Sequence, residues 1–194
     1  MVIKGKGVFK DGIDTDELEI KGKLYSDGNI NIEKLTVKGK VECKSCLNSR
    51  TIDSKGSLNI QDSIKAEECK LYGSVNTNTL EVKKNIKWEF SGDSVVKEFL
   101  FNEAKITKDN GESKTQLNNL LSFVLNKKIE LDFSDNKSDS LQIAKAIGKE
   151  IFIEDCTIDE LICDNAEIGH NCVVKKLKCS GKYSVAEDSQ VNII

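Results

Sequence analysis

The sequence predicts an all-β fold, a parallel β-helix (β-solenoid) with coils of about 16–17 residues, and three observations carry that expectation. Glycines fall at 5, 22, 39, 56 and 73, a strict period of 17, and the first four follow a lysine while Gly73 follows Tyr72. Apolar residues keep the same register: Leu24, Val41, Leu58 and Val75 share one column, Ile13, Ile30, Leu47 and Ile64 a second, and Leu18, Leu35, Ile52 and Cys69 a third. A fourth column holds Ile20, Val37, Ser54, Leu71 and Trp88. Within each unit polar and apolar residues alternate, as in Leu18-Glu19-Ile20 and Leu35-Thr36-Val37, the mark of a short strand with one buried face. Such a unit is too short for helical-hairpin repeats of about 33 to 47 residues. Stacked in register, each coil would add about 4.8 Å along the axis and hydrogen-bond to the coils above and below. The glycine after each strand is expected to supply a backbone conformation that side chains resist, so that the chain turns a corner there.

Taken in order, residues 2–22 form an imperfect first coil with Val2, Ile3, Val8 and Phe9 as its apolar members, and residues 23–73 form the most regular coils. From Ser74 the register loosens. Leu80, Val82, Ile86, Trp88 and Phe90 still alternate, the next glycine waits until Gly92, and Val95, Val96, Phe99, Phe101 and Ile106 suggest one or two further turns. Asp109-Asn110-Gly111 breaks the pattern. Beyond it Leu117, Leu120, Leu121 and Val124 take helical spacing, which predicts a short amphipathic helix over 113–127 capped by Ser113. A strand follows at Ile129–Phe133, then a polar loop to Ser140. Coils resume near Leu141: Cys156 and Cys172 are 16 apart, as are Cys163 and Cys179, and Leu161, Leu177 and Ile193 keep the interval. The organisation expected is an N-terminal solenoid over 1–108, an insertion over 109–140 and C-terminal coils over 141–194. One interrupted stack is the simplest arrangement, with two stacks packed side by side as the alternative.

At 194 residues the chain is long enough to bury a sizeable core. A formal charge of −3, a single arginine (Arg50) and 6% aromatic content supply few base contacts or stacking platforms, which argues against nucleic-acid binding. Proline is absent, as suits a continuous hydrogen-bonded sheet. Neither a signal peptide nor an apolar stretch of about 18 residues is present, so the expected compartment is the cytoplasm, and the seven cysteines read as reduced thiols.

The candidates for chemistry each have a structural reading beside the functional one. Cys43-Lys-Ser-Cys46 is the only CxxC, and a zinc site would need a second pair, for which the neighbouring coils offer Cys69 alone; in its column Cys69 reads as a small core residue. The cysteine ladder of the second half reads likewise. His170, in Ala-Glu-Ile-Gly-His-Asn-Cys-Val, resembles one hexapeptide unit of the left-handed β-helix acyltransferases, where a histidine can serve as general base; the other reading is a solvent-facing turn residue. Glycines a whole coil apart cannot converge on a phosphate, and the carboxylates are scattered on outward columns. The sequence therefore points to no metal, no cofactor and no catalytic residue.

The coil Ile20-Lys-Gly-Lys-Leu-Tyr-Ser-Asp-Gly-Asn-Ile-Asn-Ile-Glu-Lys-Leu-Thr-Val-Lys-Gly39 resembles the bactofilins, polymer-forming cytoskeletal proteins of bacteria. Gly148-Lys-Glu-Ile-Phe-Ile-Glu-Asp-Cys-Thr and Ala166-Glu-Ile-Gly-His-Asn-Cys are similar to the C-terminal part of longer members from Gram-positive bacteria. The resemblance implies a right-handed parallel β-helix that associates end to end without nucleotide. An uncapped terminal coil leaves backbone groups and apolar interior open, and a second solenoid end can satisfy both. Val2, Ile3, Val8 and Phe9 would line one end and Val185, Val191, Ile193 and Ile194 the other, making the chain its own expected partner. In the insertion, Leu117, Leu120, Leu121, Phe123, Val124 and Leu125 would pack on the solenoid or cap an end. The alternative for that segment is weak peripheral membrane contact aided by Lys127 and Lys128. A monomeric interaction module that binds through a side face, and a trimeric acyltransferase built on His170, are the readings from other classes.

Overall fold

A computed structural model describes residues 1–109 and 139–194, and the helix and strand expected within 110–138, with Leu117, Leu120, Leu121, Phe123, Val124 and Leu125, lie outside the described residues. The described chain is all strand and turn, wound into about 10 turns of a parallel β-solenoid, as expected. The strands of the first half are β1 (Val2–Ile3), β2 (Lys6–Phe9), β3 (Ile13–Ile20), β4 (Lys23–Ser26), β5 (Ile30–Val37), β6 (Lys40–Cys43), β7 (Leu47–Ser54), β8 (Ser57–Ile60), β9 (Ser63–Tyr72), β10 (Val75–Phe90) and β11 (Ser94–Lys108). Those of the second are β12 (Leu141–Ile147), β13 (Glu150–Ile153), β14 (Thr157–Cys163), β15 (Asn165–Ile168), β16 (Val173–Cys179), β17 (Tyr183–Val185) and β18 (Gln190–Ile193). Each pairs in parallel with the equivalent strand one coil away, so that Leu18 lies beside Leu35, Leu35 beside Ile52 and Ile52 beside Cys69.

The columns read from the spacing are the interior of the molecule. Ile20, Val37, Leu71 and Trp88 are buried, one above another, as are Leu24, Val41, Leu58 and Val75. Burying each such aliphatic side chain contributes about 1.5–3 kcal/mol, and the stack repeats the gain coil after coil. Trp88 is fully buried, and its indole N–H donates to the Gly73 carbonyl at 3.0 Å. The looser region from Ser74 stays in the stack: β10 and β11 absorb the change of period through a register shift between Val82 and Asn85.

β11 joins the two halves. Ser94 to Leu100 pair with Leu141 to Ile147, and Glu103 to Ile106 pair with Glu150 to Ile153, so both halves share one sheet. The chain leaves and re-enters at one corner, where the Ser94 N–H donates to the Ser140 carbonyl at 2.8 Å and the Gly92 N–H to Asp139 Oδ1 at 2.7 Å.

The glycine column has a different cause from the one expected. Among the described residues a positive φ occurs at Gly12, Gly73 and Gly92 but not at Gly22, Gly39 or Gly56. What those three exclude is a Cβ, which would collide with the carbonyl oxygen of the glycine one coil earlier. The repeat is therefore a close-approach requirement between stacked corners. In the second half Asp155 and Asn171 take left-handed φ values of 57° and 55°, and the Asn171 amide donates to Asp155 Oδ1 at 3.0 Å.

Candidate functional site

Interior strands have a partner on both sides, and the outermost strands have one. Among the described residues β1 pairs only with β3, β2 with β4, β17 with β15 and β18 with β16. Ile3, Gly5 and Phe9 offer their carbonyls to the second coil, accepting from the N–H groups of Lys21, Lys23 and Asp27 at 2.7, 2.9 and 2.9 Å. Backbone groups alternate in direction along a strand, so the N–H groups of Lys4, Lys6 and Val8 face away from the stack.

The residues expected at the ends divide into two sets. Ile3 and Phe9 lie in inward columns, with Ile3 beside Ile20 and Phe9 beside Ser26, and both pack in part on the core. At the other end Val185 continues the column of Ile168, Val191 that of Val174 and Ile193 that of Leu177. Val2 and Val8 instead point sideways, in register with Glu19 and Tyr25, so they border the end and do not fill its interior. The two-residue period puts neighbours on opposite faces, and a list of apolar residues alone does not say which face is which. Val2 and Val8 are 53% and 60% exposed, Ile193 and Ile194 52% and 58%. Met1 and Tyr183, absent from the expected set, join them as exposed apolar side chains. Tyr183 could have been placed by counting one coil on from Ala166.

The lateral faces are polar and laddered. Asn48 donates to Asn31 at 2.9 Å and Asn76 to Asn59 at 3.0 Å. Ion pairs join neighbouring coils, among them Lys38 with Glu19 at 3.1 Å, Lys44 with Asp27 at 2.8 Å and Lys175 with Asp159 at 2.7 Å. One groove of about 640 Å³ runs across the coils between Tyr25 and Val95, floored by Glu42, Asn59 and Asn76. Sequence reading passed over this column, although Tyr25, Glu42, Asn59 and Asn76 stand 17 residues apart.

All seven cysteines are free. Cys43 and Cys69 face the core, and burial pushes the Cys69 thiol up to about 12, far from the reactive thiolate. Cys163 lies beside Cys179 in adjacent coils, and burial, with Cys179 close by, raises its thiol to about 12 as well. Cys156 is raised by its hydrogen bond with Cys172 and by burial. Among the described residues no group of three or more His, Cys, Asp or Glu side chains could hold a metal ion. His170 sits at an exposed corner with its Nδ1 at 3.1 Å from Asp188 Oδ1.

Compared with protein-family models, with curated proteins and with solved structures, the chain matches none.

Proposed function

We propose that this protein is a cytoplasmic scaffold of the bactofilin kind, which associates with copies of itself through the ends of its solenoid and needs no nucleotide. One observation carries the reading. Among the described residues the exposed large apolar side chains are Met1, Val2, Val8, Val95, Tyr183, Val185, Ile193 and Ile194, and all but Val95 belong to the first or last coil. Those coils also hold the outermost strands, whose free edges are templates for another strand. A second solenoid end would cover both kinds of surface at once. Phe9→Asp and Ile193→Asp each place a carboxylate on an inward column of an end, and each is expected to reduce the mass measured by light scattering. An unchanged mass in both variants removes end-stacking.

A second reading is a monomeric interaction module that uses the groove between Tyr25 and Val95, which is lined by the amides of Asn59 and Asn76. A concentration-independent monomer, with partner binding lost on Tyr25→Ala, favours that reading over the first.

A further inference from the structure

Building on self-association through the ends, we infer that copies join head to tail. The first coil of one copy, residues 1–12, continues the last coil of another, residues 183–194, in the register that the interior coils already keep.

The backbone series fixes that register. Along one corner the N–H of each coil donates to the coil before it: Lys21 to Ile3 and Lys38 to Ile20 at 2.7 Å, Gly169 to Ile153 and Ala186 to Ile168 at 2.8 Å. The next acceptor in the series is the Val185 carbonyl, and the matching donor at the opposite end is the outward N–H of Lys4. Both ends thus present the same phase of the pattern. With Ile3 set on Val185, counting along the chain puts Lys6 on Asp188, Gly7 on Ser189 and Phe9 on Val191.

Charge selects the same polarity. The first coil carries Lys4, Lys6 and Lys10 against Asp11, whereas residues 183–194 carry Glu187 and Asp188 and no cationic side chain. Head-to-tail contact brings Lys6 onto Asp188 and Lys4 near Glu187, repeating the cross-coil ion pairs of the interior. Joining like ends would oppose lysines to lysines, or Glu187 and Asp188 to their own copies. Lys6 at present lies over the Tyr25 ring, 5.0 Å from its centre, and Asp188 pairs with His170 at 3.1 Å, so each reaches the joint from an existing contact. Exposed ion pairs are individually weak and screened by salt, so they choose the partner end while the apolar columns hold it.

Gly5 provides a block at one end. A Cβ added there meets nothing within 4 Å in the molecule, yet at Gly22, Gly39 and Gly56 it collides with the coil before. Gly5→Leu therefore leaves the isolated fold intact and obstructs the N-terminal joint, and Ile193→Asp obstructs the C-terminal one. Under head-to-tail joining each variant alone is a monomer by analytical ultracentrifugation and an equimolar mixture gives dimers, with circular dichroism showing both folded. Dimers formed by each variant alone would keep self-association and overturn the polarity, whereas a wild-type chain that stays monomeric overturns self-association itself. Independently, Lys6→Asp and Asp188→Lys each weaken wild-type association by about two- to fivefold and together restore it. Two effects that simply add contradict the pairing.

Discussion

Ser54 is a hydroxyl in an aliphatic column, between Val37 and Leu71. Its oxygen is buried with no hydrogen-bond partner, whereas the buried Ser26 donates to the Gly28 carbonyl at 2.8 Å. A buried polar group left unsatisfied costs more than its apolar replacement, so Ser54→Ala is expected to raise unfolding stability by about 1 kcal/mol in chemical denaturation. No gain there would mean that the hydroxyl has found a partner. The glycine column gives the opposite case. Gly39→Ala drives a Cβ into the Gly22 carbonyl and is expected to lower stability by about 2 kcal/mol. Gly5→Ala has open space and should change it by less than about 0.5 kcal/mol. Equal costs at the two positions would restore a conformational explanation of the repeat. The glycine period was plain in the sequence, but its cause was not: spacing shows that a position is special, and only the distance between stacked corners shows why.

At the scale of strands, nearly every inward column could be read beforehand, because a repeat of 17 residues with two-fold alternation leaves one way to stack. The loosened stretch from Ser74 was harder, since β10 and β11 change period through a shift at Val82 and Asn85 that no residue type announces. The orientation of Val2 and Val8 was missed for a related reason, as an end coil has a neighbour on one side only to fix its register. In a solenoid each coil is stabilised by its neighbours, so coils with one neighbour open first. Hydrogen exchange at low concentration should therefore find the amides of β1, β2, β17 and β18 fast and those of β5 to β10 slow. Raising the concentration should slow the end coils selectively. Protection that is uniform along the stack, or that ignores concentration, contradicts this picture.

At the scale of the whole molecule, the stack has a direction and two unlike ends. Its lateral surfaces are covered by amide ladders and cross-coil ion pairs, while exposed apolar side chains gather in the first and last coils. The fold was legible because stacking repeats one small problem many times. Its ends were legible in part, since Ile3, Phe9, Val185, Val191 and Ile193 follow from extending the columns to their limits. The charge contrast between the first and last coils became meaningful only once the register placed Lys6 and Asp188 in corresponding positions.

That the end coils bind one another is tested most directly by sedimentation equilibrium of the wild-type chain over a wide range of concentration. The account predicts an average mass that climbs steadily with concentration, through species of increasing copy number. A mass fixed at that of one chain throughout would contradict it.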